Sequence, residues 1–356
     1  LQALVLFDPA NPAMRMNDVA TAALVRIGAP ALTPLVDMMQ GRNNEVNAIA
    51  TRMIAAIATR DADFASRMSV GALVSNEAAT TLGQLGLPEA IDPLVAEATA
   101  LDEGERADST EEDLGDMQRM FGAAIALVSV SRRDTDTDRI RNALMTVYNR
   151  LPEGLDPSRP NRTQLLVAMQ HFGDQGLIPF LIGLARPPAR GPSDPDLRVL
   201  AFRAAMMMAN AAEAALLQAI ITAEGEGDIR DGFNQFEPEV IFAATTACNE
   251  DLTCWTGRLT DADTNVVQKA AYMVARYGRG NAAAITALVG ATDSHDETAV
   301  MEILYALDYC ATSGSPEGVA RIDAMRESGG GTAFWNHLES LAVVVQARLA
   351  ARAGGD

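Results

Sequence analysis

The sequence predicts an all-α fold, a solenoid of stacked antiparallel helical hairpins. One phrase, Val267–Gly278 followed by Ala282–Val289, recurs in degenerate form as ATAALVRIGAPALTPLV (Ala20–Val36), EAATTLGQLGLPEAIDPLV (Glu77–Val95) and QLLVAMQHFGDQGLIPFL (Gln164–Leu181). Each copy reads as an amphipathic stretch, a glycine, a short gap and a second amphipathic stretch. That is one helical hairpin, and serial hairpins bury their apolar faces by stacking on their neighbours. In the C-terminal third the register repeats at 33 positions, from Tyr272 to Tyr305 and from Val289 to Ile322. Hydrophobic residues make up 48% of the chain but aromatics only 5%. Alanine, leucine and valine therefore carry the core, and methionine fills irregular gaps between helices.

Residues 1–16 read as an irregular N-terminal segment, because Pro9 and Pro12 exclude a regular helix there. The repeats run over 17–327. Asn17 or Asp18 caps the first helix, Gly28 ends it and Pro30 opens the next. Pro34, Pro93 and Pro179 hold one place in the second helix of three copies, where proline bends a helix near its start. Residues 102–116, DEGERADSTEEDLGD, hold eight acidic side chains against Arg106 and read as a solvated insertion. Residues 151–161 carry three prolines and read as an extended loop, and residues 224–239 mix acids and glycine with Phe233 and Phe236 as a second loop. The most regular pairs follow: Pro238–Ala247 with Leu252–Leu259, Asn265–Tyr277 with Asn281–Gly290, and Glu297–Ala311 with Pro316–Glu327. On Asn265–Tyr277, Val267, Ala270, Ala271, Val274 and Tyr277 follow the spacing of one helical face. Residues 328–356 comprise a glycine break at Ser328–Gly331 and a capping helix near Phe334–Arg352.

Net charge is −19, and Lys269 is the sole lysine, a bias most simply set by a GC-rich genome. Nucleic-acid binding relies on Lys and Arg neutralising phosphates, so an acidic chain without a basic block is poorly suited to it. No apolar run reaches the roughly 18–20 residues that cross a bilayer. The chain opens Leu1-Gln2-Ala3. The expectation is a mature form whose export signal or lipid-bearing cysteine lies outside the given sequence, so membrane contact is indirect or made through an anchor not present in it.

Six positions separate Cys248 from Cys254, with Asn249-Glu250-Asp251 between them. Inside one helix that span rises about 9 Å, whereas a disulfide needs Cα atoms roughly 4.4–6.8 Å apart. A bond therefore requires a helix to end near Cys248 and another to begin before Cys254, where the repeat pattern places a break. A closed Cys248–Cys254 bond is the favoured reading, ahead of two buried thiols and of metal binding, with Cys310 a buried thiol outside it. Such a bond implies an oxidising compartment and an extracytoplasmic, envelope-associated protein.

The three histidines, His171, His295 and His337, fall in no nucleophile pattern, and Ser294 or Asp293 beside His295 reads as a helix cap. The chain has no His-Glu dipeptide, so it lacks the paired ligands of helical-repeat di-iron hydroxylases. DTDTD (Asp134–Asp138) and DADTN (Asp261–Asn265) begin like calcium loops, but the twelfth positions are Met145 and Tyr272 rather than glutamate. Gly278-Arg279-Gly280 is a helix stop, since no strand precedes it. No catalytic residue, cofactor or metal is expected. Trp255, Trp335 and Phe334 with Arg276 and Arg279 are the candidate partner-binding residues, because tryptophan and arginine are enriched at interface hot spots. Core packing of the two tryptophans is the competing and commoner reading.

Three stretches, CNEDLTCWTGRL (Cys248–Leu259), VVQKAAYMVARYGRGN (Val266–Asn281) and FWNHLESLAVVVQARL (Phe334–Leu349), resemble bacterial HEAT-repeat proteins, in particular extracytoplasmic ones of myxobacteria-like lineages. The resemblance covers about Asn17 to Leu349 and implies a HEAT-like α-solenoid. It also implies a non-enzymatic adaptor that holds a protein partner in a larger complex, with many such proteins resembling lipoproteins. HEAT-like proteins also include bilin lyases and isomerases, so an enzyme using Cys310 or His171 is the alternative expectation.

Overall fold

The computed structural model describes residues 27, 31, 91–99, 111–130, 136–152, 160–188, 194–293, 296–329 and 333–353. The repeat copy at Ala20–Val36 apart from Ile27 and Ala31, most of that at Glu77–Val95, the segments 1–16 and 102–110, and Ser294 and His295 lie outside them. Among the described residues every regular element is a helix.

The chain divides at Arg150/Leu151 into two compact units, at the edge of the proline-bearing segment 151–161. The first unit contains α1 (Ile91–Thr99), α2 (Glu111–Val130) and α3 (Thr137–Arg150), which pack mutually. Leu94, Ala98, Met120, Leu127, Ile140 and Leu144 are buried between them. Helix α2 begins at Glu111, so Glu111–Asp116 of the expected acidic insertion are helical. Acids in a first turn face the positive end of the helix dipole, which makes them compatible with a helix start.

The second unit contains α4 (Arg162–Phe172), α5 (Ile178–Ala185), α6 (Pro195–Met208), α7 (Ala211–Ala223), α8 (Asp228–Asn234), α9 (Pro238–Cys248), α10 (Leu252–Arg258), α11 (Thr264–Tyr277), α12 (Ala282–Ala291), α13 (Glu297–Cys310), α14 (Pro316–Gly329) and α15 (Ala333–Ala353). Short polar side chains start most of them. Asn161, Asp194, Asn210, Asp251, Asp263, Asn281 and Asp296 each accept from amides of the following turn. Helix α5 packs on α6, α10 on α11, α12 on α13 and α14 on α15, whereas the expected partners α11 with α12 and α13 with α14 make no comparable contact. Helix α11 touches α6, α9 and α10 as well as α13, which in turn packs on α15. A second set of contacts joins α5 to α7, α7 to α9, and α10 to α12 and on to α14. The core of alanine, valine, leucine and methionine runs through Val267, Ala271, Val274, Ile303, Leu307 and Leu349.

Three expectations change. Pro179 stands in the first turn of α5 and starts that helix rather than bending it. Asp296, not Ser294 or Asp293, caps α13 by accepting from Ala299 N at 2.9 Å, while Asp293 pairs with Arg321. Residues 224–239 are not wholly loop: α8 forms within them because Phe233, fully buried, stacks on Phe202 with ring centres 4.4 Å apart.

Candidate functional site

The turn between α9 and α10 carries the first constellation. Helix α9 ends at Cys248, and Asp251 accepts from Thr253 N at 2.8 Å and Cys254 N at 3.3 Å to start α10. That places the Cα atoms of Cys248 and Cys254 5.3 Å apart, and the disulfide is closed. Trp255 lies next in the chain and is fully buried; its indole N–H donates to Asn249 O at 2.7 Å. Cys310 is buried outside the disulfide, its thiol donating to Val274 O at 3.5 Å.

Trp255 roofs the second constellation. The sole lysine, Lys269 of α11, is fully buried, with Nζ 6.0 Å from the Trp255 ring centre. Its ammonium donates to the carbonyls of Met206 and Met207 at 3.0 Å and of Ala209 at 2.5 Å. These are carbonyls left without intrahelical partners at the end of α6. One turn pair further along α11, Arg276 donates to Met208 O at 3.2 Å and lies 3.8 Å from Glu213, which itself accepts from Asn210 N in the capping box of α7. Burial lowers Lys269 from its ordinary 10.5 to about 7; the Arg276 charge adds to the lowering and Glu213 opposes it. Beside it burial also pushes the Tyr277 phenol up.

A third cluster joins α4 to α13. His171 Nδ1 lies 3.2 Å from Glu302 Oε1, and the imidazole stacks on Tyr305 at 5.0 Å between ring centres. The Glu302 side chain is 3% exposed and that of His171 18%, so the buried partner is the acid. A fourth cluster closes the C-terminal end. Asp308 receives Arg348 at 2.5 Å and Arg352 at 2.8 Å, and Arg352 also donates to the carbonyls of Asp308 and Ala311.

Six cationic side chains share one habit. Arg150 donates to Thr99 O, Arg198 to Ala185 O, Arg230 to Glu224 O, Lys269 and Arg276 to the end of α6, and Arg352 to the end of α13. In each case a later side chain finishes an earlier helix, where carbonyls and the negative end of the dipole favour a cation.

The expected partner-binding residues separate under this geometry. Trp255 and Trp335 are buried, the latter at 2% exposure, so of the two readings core packing is the one observed and neither presents a surface ring. Large apolar area outweighs the single polar N–H in placing them. Arg276 and Arg279 are half-buried, Arg279 lying 5.2 Å over the Tyr309 ring. Phe334 is exposed. Trp255 and Arg276 come together around Lys269, whereas Phe334 and Trp335 stand on α15. The Lys269 and Glu302 clusters escaped notice in the sequence, although both residues sit three positions before the repeated tyrosines, Tyr272 and Tyr305. Asp261 and Asp263 act as a turn and a cap rather than a calcium loop, Asp261 being held ionised by Arg258 at 2.8 Å.

The solvent side of three helices of the second set differs in character from that of α14, which exposes Glu317, Asp323, Arg326 and Glu327. Among the exposed positions of α7, α9 and α12, the sole charged side chain is Glu239. No described helix is long and apolar enough to cross a membrane, and among the described residues no three His, Cys, Asp or Glu side chains gather as a metal-binding set.

No protein-family model matches the chain. No curated protein matches it either. A solved engineered protein aligns over 98% of this chain and 97% of its own at 15% identity, with a TM-score of 0.23, too low to carry an argument about fold or function.

Proposed function

We propose that this chain is a HEAT-like helical solenoid acting as a non-enzymatic scaffold, an accessory subunit that holds a protein partner in a complex of the bacterial envelope. The observation that carries the reading is the outer face of α7, α9 and α12, on which Glu239 is the sole exposed charge in a chain of net charge −19. Interface cores are depleted of charged side chains relative to the remaining surface, and a solvent face with a single one has the composition of a contact surface. The buried cations support the reading as well, since Arg198 and Lys269 hold helix ends and Arg348 pairs with the buried Asp308. The closed Cys248–Cys254 bond is compatible with an extracytoplasmic location. Affinity purification from native membranes, with crosslinking, tests it. Recovery of a stoichiometric protein partner is the expected result, and recovery of the chain alone as a monomer rejects the scaffold.

The alternative, a HEAT-like bilin lyase or isomerase, draws its support from the His171–Glu302 pair against Tyr305. Cys310 is fully buried and out of reach of a pigment. A spectral titration with a linear tetrapyrrole separates the readings: a shifted, saturable absorbance band favours the enzyme, and an unchanged spectrum favours the scaffold.

A further inference from the structure

Helices α7 and α9 pack side by side and are joined by residues 224–239. Leu216 on α7 is 49% exposed and Val240, near the start of α9, 42%. The other exposed positions of α7 hold only alanine, glutamine and threonine. Two packed helices leave a groove between their ridges that accepts the ridge of a third.

One end of this face is strongly acidic. The connection that leaves α7 and enters α9 exposes Glu226, Asp228, Asp231 and Glu237, and Glu239 follows in the first turn of α9. Its one basic side chain, Arg230, donates to Glu224 O at 3.1 Å rather than to these carboxylates, and Glu237 accepts from the neutral amide of Asn265 at 3.2 Å, which leaves its charge in place. The surface is therefore mostly alanine with Leu216 and Val240 as its larger apolar side chains, interrupted by Gln218, Thr222 and Thr246, and negative at one end.

We propose that the α7–α9 face docks an amphipathic helix of a partner protein, with an apolar stripe against Leu216 and Val240 and a cluster of lysine or arginine at the end facing residues 226–239. This rests on the scaffold reading and names its surface and partner. Charge selects the occupant. A second copy of this chain would bring its own net charge of −19 and the same acidic end. An anionic membrane would be repelled by it. A helix with a basic end answers the apolar and the acidic part together, the helix-in-groove mode of recognition.

The test uses the full chain and a labelled synthetic helix of about 18 residues, five turns, with a leucine stripe and a lysine cluster at one end. A control peptide has the same composition with the leucines scattered around the helix. Fluorescence anisotropy at physiological salt is expected to show saturable binding of the first peptide and at least about tenfold weaker binding of the control, the loss typical of an interface hot spot. The double variant Leu216→Asp, Val240→Asp changes only exposed positions, and its circular dichroism and melting temperature are expected to match the parent while binding falls about tenfold. Neutralising Glu226→Gln, Asp228→Asn and Asp231→Asn is expected to flatten the salt dependence. Equal affinity for both peptides, or unchanged affinity in the double variant, overturns the proposal. So does dimerisation in sedimentation that the double variant abolishes, or binding to anionic vesicles. A native partner that still co-purifies with the double variant overturns the proposal and leaves the scaffold reading standing. Absence of any native partner removes the scaffold reading instead.

Discussion

Replacing Lys269 by methionine isolates the energetics of the most deeply buried charge. Methionine keeps an apolar stem under Trp255 but neither donates to Met206, Met207 and Ala209 nor titrates. In the folded chain Lys269 releases its proton at about 7, against an ordinary 10.5. Between those values the unfolded chain binds one proton more than the folded one. Stability therefore rises with pH across the window, by at most about 1.4 kcal/mol per unit. From pH 7 to pH 9 the wild type is expected to gain about 2 kcal/mol relative to Lys269→Met, since half the lysines are already neutral at the lower limit. At pH 9 the variant is the less stable, because buried carbonyls left without a donor cost about 1–3 kcal/mol each. The gap narrows as pH falls from 9 towards 7 and levels off below 7, where both states carry the proton. Urea unfolding followed by far-ultraviolet circular dichroism at pH 6, 7, 8 and 9 measures the difference, and the raised phenol of Tyr277, present in both proteins, cancels. Because Lys269 is the sole lysine, carbon-13 labelling of lysine gives one side-chain resonance, expected to titrate near 7. A pH-independent stability difference, with a lysine resonance that stays charged to pH 9, refutes the reasoning. It would mean that the three carbonyls and the α6 dipole outweigh burial.

Two further outcomes are expected. Replacing Cys248 and Cys254 together by serine removes about 2 kcal/mol of loop-closure stabilisation, read by urea unfolding, with helix content unchanged because Asp251 and Trp255 hold the same turn by hydrogen bonds. Asp308→Asn leaves Arg348 and Arg352 facing each other without their carboxylate; a loss of about 3 kcal/mol is expected, with hydrogen exchange accelerated first in α15.

The helix boundaries were legible because their determinants are local. The i, i+3, i+4 spacing and the stop at Gly278 place a helix at Asn265–Tyr277, and α11 runs Thr264–Tyr277. The Cys248–Cys254 turn was equally legible, since a helix of that length cannot hold both sulfurs together and the polar residues between them supply the break. Elements whose cause lies far along the chain were not. Helix α8 depends on Phe233 meeting Phe202, a contact that no window around residues 228–234 contains. The role of Lys269 depends on carbonyls some 60 positions earlier. The burial of Trp255 and Trp335 is likewise set by helices that pack on them, and aromatic content alone assigns no side.

The finishing of helix ends by later side chains gives the chain a direction. A stack in which every module closed its own termini could be shortened from either end with equal loss. Here the C-terminal residues serve modules that precede them: removing α15 takes away Arg348 and Arg352, so that Asp308 keeps a buried charge and the carbonyls of Asp308 and Ala311 lose their donor. Excising α11 would in the same way unfinish α6, which lies well upstream. Helices of this protein are therefore not interchangeable parts. A fragment cut after a helix inherits the structural debt of the residues left behind, and internal duplication or deletion is constrained to steps that carry both the helix end and the distant cation that completes it.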